Sequence, residues 1–368
     1  METLITNQID QLSIQMIEDI KKIVRMPSVK GEKEKHAPFG KDIARTLDEV
    51  LKLAQELGFH TENLDHYIGW AQYGEGDDYI GIIGHLDVVP VGEGWKQPPF
   101  SGYEKDGFIY SRGILDNKGP LLSCLYALYA LKLLQIELKR PVRIIFGCDE
   151  ESGFEDLEYY LKHQKPPIMG WTPDCKYPVV YGERGRAVIE ISTDEKNIND
   201  FFTFVNTYFM NAKPNGERLG VDDYDEEFGM NEMRNYELKH NHHRLIFSVT
   251  FSYPASACLD DMLKTIQEKA GDFKVECVHH YLPVRFEKDC PMVKALQIAY
   301  ETITNMDGTP VTTTGGTYAK LMPNIVPFGP SFPGQKGIGH QPNEWMKIDD
   351  IVANAKIYAL GIYYLANL

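Results

Sequence analysis

Residues 79–87 read YIGIIGHLD, and this short stretch limits the possible folds more than any other. Tyr79, Ile80, Ile82 and Ile83 are aromatic or β-branched, types that fit a pleated and packed surface. Gly81 and Gly84 interrupt the run without adding charge, which predicts close approach of another backbone. No polar residue alternates with the apolar ones. The segment therefore predicts a strand covered on both faces, as in a doubly wound sheet. Open α/β sheets place their ligands at the C-terminal ends of such strands, and there stand His85 and Asp87. His85 is a candidate metal ligand. Asp87 is the carboxylate that would orient it, because a ligating imidazole donates its second N–H to an acceptor. An HxD triplet alone is more often ordinary surface, so the rest of the chain must decide.

Apolar periodicity predicts a helix over 8–26, with Ile9, Leu12, Met16, Ile20 and Ile23 on one face and Pro27 as its stop. A second covers 41–57, closed by Gly58. Strands are expected over 59–63, 68–73 and 142–148. A hairpin arm is expected at 108–112, turning at 105–107. The stretch 117–134 is apolar nearly all round and predicts a buried helix, and 154–163 predicts a shorter one. Strands alternating with helices indicate an α/β doubly wound sheet.

From about residue 186 the texture changes. Strands are expected over 187–192, 245–251 and 273–278, with helices over 197–210 and 257–270. Between them, 214–241 reads as polar, acidic and turn-rich. Buried helices return at 292–304 and 348–367. The expected organisation is a catalytic domain, 1–183 and 289–368, interrupted by a small α+β insertion, 184–288, serving as a lid or a dimerisation domain.

The net charge of −15 argues against a nucleic-acid partner. No apolar run approaches a membrane span, and the opening METLITNQIDQL lacks a signal-peptide profile. The six cysteines, at 124, 148, 175, 258, 277 and 290, form no CxxC pair and do not resemble a thiolate zinc site. Reduced thiols and a cytoplasmic location are expected.

Four further segments place acids or a histidine beside strand ends or glycines. GILDNKG (113–119) puts Asp116 at a helix start, where a plain N-cap is the simpler reading. FGCDEESG (146–153) puts three acids after an apolar strand, and their mutual repulsion calls for a compensating cation. WTPD (171–174) ends in Asp174, and GIGHQP (337–342) holds His340. Two histidines and at least four carboxylates around one expected sheet suit zinc, manganese or cobalt better than calcium. Two such ions about 3.5–4 Å apart can activate water and clamp the reacting oxygen.

In GHLDVVPVGEGW, GILDNKGP, DEESG, the PD before YGERG, TGGTYAK and GHQPNEW, the chain resembles the co-catalytic di-zinc amidohydrolases and peptidases. That family includes aminoacylases, succinyl-diaminopimelate desuccinylase, carnosinases and PepV-type bacterial dipeptidases, and the wording is nearest the PepV-type branch. The resemblance implies a zinc-peptidase-like catalytic domain with an inserted lid and two divalent ions, zinc first, with manganese or cobalt as alternatives. It implies that His85 and Asp174 bind one ion, Glu151 and His340 the other, and that Asp116 bridges them. Asp87 would orient His85, and Glu150 would act as general base toward a water shared by the ions. Gly315, Gly316, Thr317 and Tyr318 would form part of the substrate wall. The implied substrate is a small peptide or an N-acyl amino acid. A metal-binding homologue without turnover and a deacylase are the competing readings.

The chain departs from the family in its insertion. No H-x-x-x-P…G-x-N segment supplies the lid's oxyanion histidine, and Ser252 stands where an arginine commonly precedes Tyr-Pro. His240, His242, His243, Arg234 and Lys320 are the candidates to replace those groups. The shortened insertion either covers the cleft or pairs two copies into a homodimer.

Overall fold

The computed structural model describes all 368 residues. The chain opens with α1 (Glu2–Val24) and α2 (Lys41–Glu56), then β1 (His60–Leu64), β2 (Ile68–Tyr73) and β3 (Ile80–His85). There follow α3 (Lys118–Leu133), β4 (Val142–Gly147), α4 (Glu155–His163) and β5 (Met169–Thr172). Next come β6 (Gly185–Asp194), α5 (Ile198–Val205), β7 (Glu232–Asn241), β8 (Arg244–Tyr253), α6 (Leu259–Ala270) and β9 (Lys274–Tyr281). The chain ends with α7 (Pro291–Thr304), β10 (Ile325–Pro327) and α8 (Ile348–Asn367). No helix is long and apolar enough to cross a membrane.

Two compact units result. One comprises Met1–Val180, Glu287–Pro310 and Thr317–Leu368; the other comprises Tyr181–Phe286 and Val311–Gly316. In the first unit a six-stranded sheet runs in the order β1-β2-β4-β3-β5-β10. Strands β3, β4, β5 and β10 are parallel to one another, while β2 runs antiparallel to both of its neighbours, β1 and β4. Their parallel sense brings four C-terminal ends to one edge of the sheet, which is what gathers a site from distant segments. Every residue of β3 and β4 is buried. Helix α3 packs against both α1 and α8, so almost no face of it is left for water, as its unbroken apolar sequence requires.

The two glycines of the opening stretch have different uses. A Cβ on Gly81 of β3 would meet the Pro167 ring at 2.7 Å, while at its β5 partner Gly170 a Cβ would sit 1.7 Å from the Gly81 carbonyl oxygen. A Cβ on Gly84 would instead meet the Asn117 side chain at 2.2 Å. Gly170→Ala must force β3 and β5 apart. It is expected to cost about 3 kcal/mol of stability, read as a lower urea midpoint; an unchanged midpoint would contradict this packing.

The second unit is a four-stranded antiparallel sheet, β7-β8-β6-β9. Ala187, Ile189 and Ile191 of β6 join Phe247, Val249 and Phe251 of β8 in a core with Phe201, Phe204, Met262 and Ile266 from the helices. Burial alternates along the first part of β6, whereas almost every residue of β8 is buried, its serines and threonines included. Residues 232–241, expected to be irregular, form strand β7 instead. This edge strand is mostly exposed and pairs through its main chain with β8, so it needs no apolar alternation to form. Helix α5 is shorter than expected, and 206–210 continue it as one wider turn.

Candidate active site

His85 closes β3 and is fully buried. Its Nδ1 lies 2.9 Å from the main-chain oxygen of Asp87, a contact that leaves Nε2 to face the site. Nε2 is 3.0 Å from Asp116 Oδ1 and 3.7 Å from Asp174 Oδ2. On the other side, His340 Nε2 is 3.0 Å from Asp116 Oδ2 and 2.9 Å from Glu151 Oε1. Asp116 therefore stands between the two imidazoles, with one oxygen toward each. His85, Asp116 and Asp174 form one cluster of three donors, and Asp116, Glu151 and His340 form a second.

Local structure explains these positions. Asp116 precedes α3 but is not its cap; Asn117 holds that place without a side-chain capping bond. The Asn117 side chain is spent on the site instead: Oδ1 accepts from the His85 amide at 3.3 Å, and Nδ2 donates to the Pro173 carbonyl at 2.6 Å. Glu150 and Glu151 sit in a single 3-10 turn after β4. The Asp87 carboxylate accepts the amides of Glu150 at 3.2 Å and Glu151 at 3.1 Å, while remaining 3.4 Å from His85 Nδ1. Asp87 thus braces both the imidazole and the acid-bearing turn. Of the three adjacent acids, Asp149 turns away and pairs with Lys30 at 2.5 Å.

Asp156 supports the same turn from below. Its Oδ2 accepts from the amides of Cys148 and Asp149 and from the Tyr318 hydroxyl. Tyr318 is fully buried, so it props the loop rather than facing a ligand. Thr317 is buried as well, and its Oγ1 accepts from the Ala319 amide. In the second unit Gly315 and Gly316 are exposed. There the Ser252 hydroxyl and Arg234 both donate to the Thr314 carbonyl, at 3.2 and 3.1 Å. His240 and His243 of that unit are engaged by Glu195, at 3.3 and 2.9 Å.

The electrostatics are those of crowded acids. Burial, then the charge of Asp116, pushes the Asp174 carboxyl up to about 7. Burial, then the charge of Asp174, raises Glu150 well above the ordinary carboxylate range. Burial opposes the charged form of Asp116 too, but hydrogen bonds from His340 and His85 outweigh it and hold that carboxyl below its usual value. Hydrogen bonds to Asp116 and Glu151 push His340 up to about 11. For His85, burial disfavours the cation, yet its bonds to Asp116, Asp174 and Asp87 prevail and the net shift is upward.

Two imidazoles and three carboxylates, converging as two clusters that share one acid, are a donor set that could hold two divalent cations. The site residues fit such a pair. Hydrogen bonds to the site's carboxylates raise the proton affinity of both imidazoles, so cations must compete with protons for them. Metal binding to the chelator-stripped protein is expected to release protons, and affinity is expected to fall as pH falls. Calorimetric titration in buffers of different ionisation enthalpy checks this; zero released protons would contradict it.

A cavity of about 190 Å³ opens beside Asp116 and Asp174, lined also by Leu115, Gln335, Lys336 and Ile338. Four supporting residues escaped the sequence reading: Asn117, Arg112, Asp156 and Glu344. Asn117 and Glu344 lie inside the GILDNKGP and GHQPNEW motifs, and Arg112 immediately precedes the first. Position in a motif was the only signal Asn117 and Glu344 offered; Arg112 and Asp156 lie outside the motifs and offered none.

Known proteins supply comparison. The pattern of peptidase family M20/M25/M40 matches residues 81–363. The Beta-Ala-Xaa dipeptidase of Lactobacillus delbrueckii subsp. lactis is 27% identical, over 90% of this chain and 91% of its own length. That alignment spans 432 positions against a chain of 368 residues, so the relative carries a long stretch with no counterpart here. Human carnosine dipeptidase 1 shares the fold, with a TM-score of 0.73 at 16% identity over all of both chains. The di-peptidase Dug1p of Saccharomyces cerevisiae does so with a TM-score of 0.74 at 15% identity, covering 99% of this chain and 98% of its own.

Proposed function

The chain belongs to peptidase family M20/M25/M40, a metal-dependent peptide-cleaving hydrolase, and from that premise we propose that it cleaves the amide bond of dipeptides and similar small peptides. The observation that carries this reading is the placement of Asp116, 3.0 Å from His85 on one side and 3.0 Å from His340 on the other. In the proposed assignment His85 and Asp174 hold one cation, Glu151 and His340 hold the second, and Asp116 serves both. Zinc is assigned first, with manganese and cobalt as the alternatives the donor set allows. When bound, the ions supply Lewis acidity to the scissile carbonyl and to the attacking water.

The chain's own residues do the proton work. Glu150 takes a proton from the attacking water and returns it to the leaving amine. Its raised proton affinity suits both halves of that transfer, because a carboxyl that binds protons weakly would make a poor donor to the amine. Asp87 holds the main chain of Glu150 and Glu151 in register with His85, so base and ligands move as one piece. The small cavity at Asp116 and Asp174 has room for one substituent of a short substrate.

The second unit is proposed as a lid or dimerisation domain. Its sheet edges, β7 and β9, would accept a second copy. All six cysteines are free thiols, which supports a reducing, cytoplasmic setting. A metal-binding homologue without turnover is not favoured, since the Lactobacillus relative is a dipeptidase. An N-acyl amino acid deacylase is the second reading, differing only in the acyl side of the substrate.

The test is hydrolysis by chelator-stripped protein reloaded with zinc, manganese or cobalt, on matched panels of dipeptides and N-acetyl amino acids. Metal-restored cleavage of dipeptides is expected to exceed cleavage of the acetylated series. Cleavage of the acetylated series alone would favour the deacylase, and no cleavage of either with any ion would overturn the assignment.

A further inference from the structure

Arg112 and Glu344 are each 1% exposed and form an ion pair at 2.8 Å. Burying two charges is expensive, and an isolated buried pair rarely stabilises a protein more than an apolar pair of the same volume would. The remaining bonds of this pair show where it acts. Glu344 Oε1 accepts the amides of Leu115 at 2.9 Å and Asp116 at 3.1 Å. Arg112 Nη1 donates also to the Gln341 carbonyl at 3.3 Å, and Nη2 donates to the carbonyls of Val91 at 3.2 Å and His340 at 3.5 Å. The guanidinium lies over the Trp95 ring, 5.3 Å from its centroid. One end of the pair thus grips the main chain of Asp116 and the other grips the main chain of His340, across more than two hundred residues of sequence.

We infer that the Arg112–Glu344 pair sets the spacing of Asp116 and His340 and so governs the affinity of the cation site that those residues form with Glu151. The inference rests on the metal-binding reading above. His340 depends on such a clasp, since it lies in an irregular loop with a half-exposed side chain. The other cluster has its own brace. Asn117 ties the His85 amide to the Pro173 carbonyl, and the Asp87 carbonyl holds the His85 ring. Weakening the pair therefore affects the two clusters unequally. Arg112 and Glu344 are positioning residues, acting through the ligands.

Glu344→Gln and Arg112→Lys test this. The glutamine keeps an oxygen for the two amides but sets an N–H against the guanidinium. The lysine keeps the charge but loses the planar fork that reaches several carbonyls. Each chelator-stripped variant, its fold checked by circular dichroism and thermal melting, is titrated with zinc against a chromophoric chelator and with cobalt by visible absorption. The wild type is expected to take two cations. The variants are expected to bind the cation at Glu151 and His340 about 10–100-fold more weakly, the usual cost of losing a group that orients a ligand, and the other, which shares Asp116 but keeps its own braces, with a much smaller loss. The cobalt spectrum should then build in two separated phases.

Two cations bound with unchanged affinities would overturn the inference, as would equal weakening of both. A wild type that fails to take two cations would instead overturn the metal reading beneath it, and the two failures are distinguishable. If neither variant folds, Trp95→Leu removes the ring over the guanidinium together with its Nε1–H bond to the Val91 carbonyl, and leaves Arg112 and Glu344 themselves intact. A several-fold loss confined to one cation supports the inference, and no change overturns it.

Discussion

Glu150→Gln is expected to lower kcat on a cleaved dipeptide by about 10²–10⁴-fold, the usual contribution of a positioned acid–base group, with metal content unchanged. The substitution keeps the shape of the side chain and removes only its ability to take a proton. The turn that carries it is held by main-chain bonds: the amides of Glu150 and Glu151 donate to Asp87, and those of Cys148 and Asp149 donate to Asp156. None of these depends on the Glu150 carboxyl. KM should move little, because the base acts on the water rather than on the substrate's contacts. Steady-state kinetics beside elemental analysis of the same sample decides the matter. Full turnover in the variant would remove Glu150 from the mechanism, and a fall in metal content would make it a ligand instead.

Asp116→Ala is expected to remove activity altogether and to take both cations with it. The carboxylate is the one group common to the two clusters, and its loss also leaves the imidazoles of His85 and His340 without their 3.0 Å partner. His340→Ala, by contrast, is expected to lose one cation and keep the other. Stability supplies an independent reading. A ligand at a hundred times its dissociation constant stabilises the folded state by about 2.7 kcal/mol. Zinc should therefore raise the melting temperature of the wild type clearly, raise that of His340→Ala less, and leave Asp116→Ala unmoved. An Asp116→Ala protein that still bound two ions would show that the shared position is an accident of packing.

Much of the first unit was legible in local patterns. The strand over 80–85, the buried helix over 118–133 and the strand over 142–147 follow from apolar runs whose period and length leave little choice. Edge strand β7 was not legible, because its pairing runs through main-chain atoms that every sequence possesses and its side chains face water. The glycines were only half legible. Two backbones do meet closely at Gly81, but it is Gly170 opposite whose missing Cβ allows it, while Gly81 itself makes room for the Pro167 ring and Gly84 for a side chain brought in from residue 117.

The site divides in the same way. The chain by itself determined which donors are available, since His85, Asp116, Glu150, Glu151, Asp174 and His340 all stand at strand ends or in glycine-rich turns, where a sheet of this class gathers ligands. Tertiary structure alone decided what holds them. It gave Asp87 a second duty to the Glu150–Glu151 turn, diverted Asp149 to Lys30, buried Tyr318 against Asp156, and joined Asp116 to His340 through Arg112 and Glu344. The physical reason is range. Strand and helix signals arise from burial repeated every few residues and can be read within a window. A hydrogen bond between a carboxylate and an amide more than two hundred residues away leaves no trace in either neighbourhood until the chain has folded.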